Sequence, residues 1–153
     1  MLRIFFDFRE LDFEKLSAVY GYDETDCYAK RNDFYDYLRE DFFRVTGAFY
    51  AVWELEGRYV SALRVEPYRD GYLIEALETR PEVRGKGYAK NLLNGVLRCD
   101  AILSEGNVYA HIHKNNRASL AVHKACGFER ILEHAVFIDG SVFHNYCTVQ
   151  WKK

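Results

Sequence analysis

The chain has 153 residues, of which 49% are hydrophobic and 16% aromatic, so it is long enough for one folded domain and too apolar for a disordered chain. Its formal net charge is −2, whereas nucleic-acid-binding domains typically have an excess of basic residues, so we expect no nucleic-acid partner. Because no apolar run approaches the ~20 residues that span a bilayer and the first residues resemble no signal peptide, we expect a cytoplasmic protein with no membrane partner.

The first part of the chain is predicted to form one strand and two helices. Residues 2–6 are a short β-rich run, whereas residues 11–20 and 28–45 place apolar side chains at helical spacing. Gly21 and Gly47 are expected to end the two helices. The predicted buried stripe of the second helix consists of Phe34, Tyr37, Leu38, Phe42 and Val45.

The rest of the chain alternates between strand-like and helical runs. Residues 48–55 and 58–65 are two strand-like runs joined at Glu56-Gly57, which predicts a tight hairpin. The later elements are a turn at 68–71, strand 72–79, helix 84–98, strand 108–113, helix 118–126 and a final hairpin of strands 128–138 and 142–151. This order, β-α-α-β-β-β-α-β-α-β-β, predicts a single α/β domain built on a mixed sheet.

The most informative segment is a glycine-rich turn that leads directly into a helix. After Pro81 the chain reads Arg84-Gly-Lys-Gly87-Tyr-Ala89. The first amides of a helix have no partners within it, the helix dipole adds partial positive charge there, and glycines let a bulky anion approach the backbone. Arg84 and Lys86 add full charges. The segment therefore predicts a cradle for phosphates, most simply a pyrophosphate, although it matches neither the dinucleotide-binding nor the Walker A pattern.

Two segments resemble signatures of the GNAT superfamily of N-acetyltransferases. The turn fits [Q/R]-x-x-G-x-[G/A], and the stretch from Asn116 through Ser119, His123 and Gly127 to Phe128 fits N-x-x-[AS]-x-x-[LV]-[YH]-x-x-x-G-F. The predicted order of elements also fits that fold. The resemblance implies one α/β (α+β) domain over residues 1–153, with a mixed, mostly antiparallel sheet of about six to seven strands, about four helices and splayed central parallel strands.

The resemblance further implies acetyl-CoA as the cofactor, with its pantetheine in the gap between the splayed strands. Backbone groups of the strand before the turn would hold the pantetheine and thioester, amides of the turn would bind the pyrophosphate, and the later helix would contact the cofactor from the other side. The implied cofactor-binding residues are Leu77, Thr79, Arg84, Gly85, Lys86, Gly87, Tyr88, Ala89, Asn116, Ser119 and His123.

Acetyl transfer to an amine requires removal of a proton from an alkylammonium group, which at pH 7 costs about 4 to 5 kcal/mol. We expect Glu78, and after it Glu75, as the base, acting directly or through water. They are three residues apart on one predicted strand, so they should face opposite sides of the sheet. For each, a solvated or ion-paired carboxylate is the competing interpretation, and water with substrate positioning alone could suffice.

His123 is the candidate proton donor for the departing thiolate. The family often has tyrosine at this place, with histidine as an alternative. A neutral imidazole could donate only if the proton is on the nitrogen that faces the thiolate. The competing interpretation is a histidine that packs near the pantetheine and transfers no proton.

Three further patterns have structural interpretations that we favour. His111-x-His113 puts two imidazoles on one face of a strand, but no further ligand completes a metal site, and we predict none. Cys27, Cys99, Cys126 and Cys147 lack metal-binding or redox spacing and are expected to be reduced thiols. The early aromatic residues could line an acceptor pocket, but core packing is the commoner outcome; they are Phe34, Tyr35, Tyr37, Phe42 and Phe43.

The leading functional hypothesis is therefore an N-acetyltransferase that moves an acetyl group from acetyl-CoA to a primary amine of a small molecule or peptide, by direct attack in a ternary complex. The alternative is a non-catalytic acyl-CoA-binding sensor or regulatory domain, and transfer of a longer acyl group is a third option. The sequence does not identify the acceptor. We expect a monomer or a homodimer, because the final hairpin could present an exposed sheet edge.

Overall fold

A computed structural model describes residues 1–103 and 106–152 and contains one central seven-stranded sheet. The sheet has the order β1-β2-β3-β4-β5-β9-β6, and a separate short pair is formed by β7 and β8. The strands are β1 Leu2–Phe5, β2 Phe49–Leu55, β3 Arg58–Tyr68, β4 Gly71–Thr79, β5 Asn107–His113, β6 Phe128–Leu132, β7 Ala135–Val136, β8 Val142–Phe143 and β9 Tyr146–Trp151. The helices are α1 Phe13–Val19, α2 Tyr28–Glu40, α3 Tyr88–Leu97, α4 Asp100–Leu103 and α5 Arg117–Ala125.

The only parallel pairing described in the sheet joins β4 to β5, and it is short. Gly71 to Ile74 pair with Asn107 to Ala110, and beyond these residues the two strands are no longer paired. A side chain at position 71 could not be accommodated, since a Cβ there would lie 1.7 Å from the carbonyl oxygen of Asn107. The predicted mixed, mostly antiparallel sheet with splayed central parallel strands is confirmed.

The two faces of the sheet carry different helices and different cores. The larger core lies under α3 and α5, where Leu92, Leu93, Val96 and Leu97 of α3 are buried, as the helical spacing predicted. The second core lies under α1 and α2 and is rich in aromatic residues. Its members include Leu16, Val19, Leu38, Phe42, Tyr50, Val52 and Ala62.

A bulge in β4 overturns the prediction that Glu75 and Glu78 face opposite sides of the sheet. Glu75 pairs with Arg64 and Glu78 pairs with Ala62, so three steps along β4 match two steps along β3. The extra residue lies between them, where Ala76 has a positive φ of 54°. Directly paired residues point to the same face, and residues two apart on a strand share a face. Both glutamates therefore lie on the face that carries α1 and α2.

Other differences from the predicted elements lie at element ends. The helix expected over residues 28–45 ends at Glu40 and is followed by a 3-10 turn, Phe42–Arg44, and Val45 is 41% exposed rather than buried. The final hairpin is interrupted: β6 pairs with β9, while β7 and β8 form their own small hairpin. The turn at Gly140 (φ 87°) lies where it was predicted.

The four cysteines are unpaired thiols, as expected from their spacing. Among the described helices, none combines the length and the apolar character needed to cross a bilayer.

Candidate active site

A cavity of about 430 Å³ opens beside the end of β4, beyond Ile74, the last β4 residue that pairs with β5. Its walls come from the end of β4, the following turn, the start of α3 and one side of α5. All of the residues predicted to bind a cofactor line it except Lys86 and His123. The lining residues are Leu77, Glu78, Thr79, Val83, Arg84, Gly85, Gly87, Tyr88, Ala89, Lys90, Asn116, Ala118, Ser119 and Val122.

The glycine-rich turn exposes the first amides of α3 to this cavity. Gly85 and Gly87 have φ angles of 77° and 86°, in the left-handed region that other residues rarely adopt. Gly87 is the N-cap of α3 and supplies no side-chain cap, so no side chain of the cap competes for the amides that begin the helix. These amides and the helix dipole favour an anion at this position. Lys86 is exposed and lies outside the lining.

Arg84 fixes the turn to the end of β4. Its Nε donates to the carbonyl oxygen of Thr79 at 3.0 Å, and its Nη2 donates to Oε1 of Glu78 at 2.9 Å. The same Oε1 accepts a hydrogen bond from the amide of Thr79 at 3.1 Å. The first-choice base, Glu78, is therefore held by an arginine at the edge of the cavity.

The opposite wall is the first turns of α5. The side chain of Asn116 accepts a hydrogen bond from the amide of Ser119 at 3.1 Å, which makes Asn116 the N-cap of the helix. Ala118 and Val122 also line the cavity, and sequence reasoning missed both. Helical spacing could have revealed them, because Val122 is three residues after Ser119 and four after Ala118, and residues three and four apart share one side of a helix.

His123 lies behind this wall rather than on it. It is 3% exposed, its ring packs against Phe128 with 5.1 Å between ring centroids, and its Nδ1 lies 2.7 Å from the carbonyl oxygen of Ser119. A carbonyl oxygen only accepts, so Nδ1 carries the proton and Nε2 of the neutral ring carries none. Burial lowers the pKa of His123, which favours this neutral form. In this arrangement Nε2 has no proton to donate to a thiolate.

Glu75 occupies the point at which β4 leaves β5. It follows Ile74, the last β4 residue paired with β5, and its side chain is 25% exposed. Arg64 lies across the strand pair, with 3.4 Å between Nε and Oε2 of Glu75. Burial, together with a hydrogen bond to Glu66, raises the pKa of Glu75 to about 8, against the opposing effect of Arg64.

His111 holds the corresponding position on β5, one residue beyond the last pair. Its ring lies 5.4 Å from that of Tyr68 and 5.0 Å from that of Phe137, and its buried Nε2 has no hydrogen-bond partner. Burial, with a smaller effect of Arg69, lowers the pKa of His111 to about 4. Among the described residues neither His111 nor His113 belongs to a group of three potential metal ligands.

The early aromatic residues mostly form core. Phe42 is buried, and Phe34, Tyr37 and Phe43 pack against the second core, whereas Tyr35 is 36% exposed.

Comparison with known proteins finds one matching family and solved structures that share the fold of this chain. A model of the Acetyltransferase (GNAT) family matches residues 9–128. A spermidine N-acetyltransferase chimera from Vibrio cholerae and hSSAT superposes with a TM-score of 0.71 at 18% identity, covering 98% of this chain and 94% of that one. The ribosomal-protein-alanine N-acetyltransferase from Brucella melitensis gives 0.71 at 23% identity, covering 98% of each chain.

A third solved structure contains coenzyme A. The PaiA N-acetyltransferase from Thermoplasma acidophilum, in complex with coenzyme A, superposes with a TM-score of 0.66 at 11% identity, covering 100% of this chain and 99% of that one. None of the curated protein sequences matches this chain significantly.

Proposed function

Because the chain belongs to the GNAT acetyltransferase family, we propose that it transfers an acetyl group from acetyl-CoA to a primary amine of a small molecule or peptide, by direct attack in a ternary complex. The observation that carries the proposal is the cavity between the end of β4 and α5, which is lined by the residues that begin α3 at one end and by Leu77 to Thr79 along one wall. The names of two similar structures, which specify spermidine and ribosomal-protein alanine, support an amine as the acceptor.

The residues present fit acetyl-CoA. The amides of residues 85–89 would bind the pyrophosphate, and the strand ending at Thr79 would run beside the pantetheine. Asn116 and Ser119 would face the cofactor from α5, although the Asn116 side chain also caps that helix. Bound there, acetyl-CoA supplies an activated thioester.

The chain must then provide two things, a donor for the charge on the thioester oxygen and an acceptor for the proton of the amine. A backbone amide such as that of Leu77, which lines the cavity, suits the first role. For the second we prefer Glu75 to Glu78. Both are paired with an arginine, but Glu75 lies at the point where β4 leaves β5 and its burial raises its pKa toward that of an ammonium group. The thiolate is then left to take its proton from water, since the Nδ1 proton of His123 is held by Ser119.

Calorimetry with coenzyme A tests the proposed cofactor site, using two matched variants. Gly85→Ala and Gly57→Ala both place a Cβ at a φ of 77° with no atom within 4 Å, so their backbone costs should be similar. Only Gly85 lines the cavity; Gly57 is in the β2–β3 hairpin. We expect Gly85→Ala to weaken coenzyme A binding about tenfold or more and Gly57→Ala to leave it unchanged. Equal affinities of the two variants for coenzyme A, or no binding of coenzyme A to the unaltered protein, would contradict the proposal.

Turnover is tested by thiol release from acetyl-CoA with a panel of polyamines, aminoglycosides, amino acids and peptide N-termini. The bonded Nδ1 of His123 favours one alternative, a domain that binds acyl-CoA without transferring it, because a proton donor is then missing. Tight binding with no thiol release for any amine, unchanged in His123→Phe, would support that alternative. Release with one class of amine would exclude it.

A further inference from the structure

Two tyrosines, the partly buried Tyr20 and the fully buried Tyr50, connect the second core to the bulge of β4. The hydroxyl of Tyr20, at the C-cap of α1, lies 2.8 Å from the carbonyl oxygen of Ala76 and 2.7 Å from the hydroxyl of Tyr50. Tyr50 is fully buried on β2. Burial raises the pKa of both phenols, so both keep their protons at neutral pH. The pair therefore ends on one peptide group, the one that joins Ala76 to Leu77.

The direction of the hydrogen bonds follows from the acceptor at the end of this chain. A carbonyl oxygen cannot donate, so the Tyr20 hydroxyl donates to Ala76 and must accept from Tyr50. Arg64 lies on the same face and opposes the effect of burial on Tyr50 through its charge and a hydrogen bond. Every donor thus points toward the Ala76 carbonyl, and hydrogen bonds in such a chain polarise one another in a buried environment.

The Ala76–Leu77 peptide carries this polarisation through to the cavity. The described chain contains no cis peptide bonds, and in a trans peptide the C=O and the following N–H point in opposite directions. The carbonyl faces Tyr20 on the α1 side, so the amide of Leu77 points away from it, and Leu77 lines the cavity. A hydrogen bond to an amide oxygen withdraws electron density from the nitrogen and makes its N–H a stronger donor.

We propose that Tyr20 and Tyr50 are positioning residues that hold and polarise the Ala76–Leu77 peptide, and so strengthen the Leu77 amide as the donor to the thioester oxygen. This inference rests on the proposed function for its catalytic consequence. Its structural part, the polarised peptide, is independent of turnover. The competing role is packing alone, in which the two hydroxyls merely satisfy each other in a buried core.

An NMR measurement tests the structural part. Ala-Leu occurs only at Ala62-Leu63 and Ala76-Leu77, so protein labelled with carbonyl-¹³C alanine and ¹⁵N leucine gives two carbonyl-to-amide correlations. Tyr20→Phe removes the hydroxyl that donates to Ala76, and we expect the Ala76 carbonyl carbon and the Leu77 amide nitrogen both to move upfield. The Ala62-Leu63 correlation is the internal reference. Equal, small changes at both correlations would overturn the inference, whether or not the protein turns over.

Kinetics test the catalytic part. Removing an oxyanion donor costs on the order of 100-fold in kcat, so weakening one should cost less, about three- to tenfold for Tyr20→Phe, with KM for acetyl-CoA within about twofold. Tyr50→Phe should show a smaller loss of the same kind. Tyr59→Phe is the matched control, because Tyr59 is buried in the same core and its hydroxyl contacts the amide of Asp12 rather than β4.

The two failures are separable. If the unaltered protein releases thiol and Tyr20→Phe behaves like Tyr59→Phe, the proposed catalytic role of Tyr20 and Tyr50 is wrong and the transferase function stands. If the unaltered protein releases none while the Ala76–Leu77 correlation shifts as expected, the peptide is polarised and the proposed function is wrong.

Discussion

Glu75 combines two properties: it lies where β4 leaves β5, and burial, together with a hydrogen bond to Glu66, raises its pKa to about 8. At neutral pH its carboxyl group is therefore mostly protonated, and it becomes a carboxylate as the pH rises through 8. A base with such a pKa is well matched to an ammonium proton, but it is fully available only in mildly alkaline solution.

This gives a pH-dependent prediction for Glu75→Gln. In the unaltered protein, kcat/KM for the amine should rise with pH and include a step near pH 8. Glu75→Gln should lose this step and fall about tenfold or more at pH 8.5, because general-base catalysis typically contributes 100-fold or more. The measurement is a pH–rate profile of thiol release at saturating acetyl-CoA.

Glu78→Gln is the matched control, since Glu78 shares the face of Glu75 but is bound to Arg84. It should keep the step near pH 8. A profile in which Glu78→Gln, and not Glu75→Gln, loses the step would return the role of base to Glu78.

At the scale of elements, the turn and its helix could be predicted from the sequence, and the bulge could not. Gly85 and Gly87 signal a left-handed turn because other residues avoid that conformation, and the apolar spacing of α3 signals its buried side. The bulge is centred on an alanine, a residue with no preference for positive φ, so the sequence contains no mark of it. Its position depends on the pairing with β3, which only the folded sheet defines.

The tautomer of His123 was unpredictable for a related reason. The sequence places a histidine at the position where the family often has tyrosine, but the proton on Nδ1 is fixed by a carbonyl one helical turn away. The lining residues Ala118 and Val122 differ in this respect: they were missed, but helical spacing could have predicted Val122 from Ser119 and then Ala118 from Val122.

The bulge itself predicts an unusual response to glycine. Ala76→Gly should leave the free energy of unfolding unchanged or raise it by up to about 1 kcal/mol, because relief of a left-handed alanine offsets the entropic cost of glycine. Ala62 is fully buried on the neighbouring strand, and Ala62→Gly should lower the free energy of unfolding because glycine in a strand carries an entropic cost. Urea denaturation measures both. A loss for Ala76→Gly as large as that for Ala62→Gly would contradict the conformation assigned to the bulge.

At the scale of the whole molecule, the cavity lies between the end of β4 and α5, which belong to different parts of the chain. A ligand held by the end of β4 and the start of α3 on one side and by α5 on the other should stabilise the folded chain as a unit. At a concentration 100 times its Kd, coenzyme A should add about 2.7 kcal/mol to the free energy of unfolding.

Thermal unfolding with and without coenzyme A measures this gain. Gly57→Ala should keep the full increase in Tm at a fixed ligand concentration, and Gly85→Ala should lose most of it, since only Gly85 lies in the cavity. An increase of equal size in both variants would show that the ligand binds elsewhere.

The contact between Gly71 and Asn107 limits how the two halves of the sheet can be arranged. The two halves of the sheet are joined through four residue pairs, and the first of them tolerates no Cβ. Any substitution at Gly71 would have to displace β5, and with it α5, and so would change the width of the cavity between the end of β4 and α5. A junction that bears no reactive group therefore helps to set the position of β5 and of the helix that follows it.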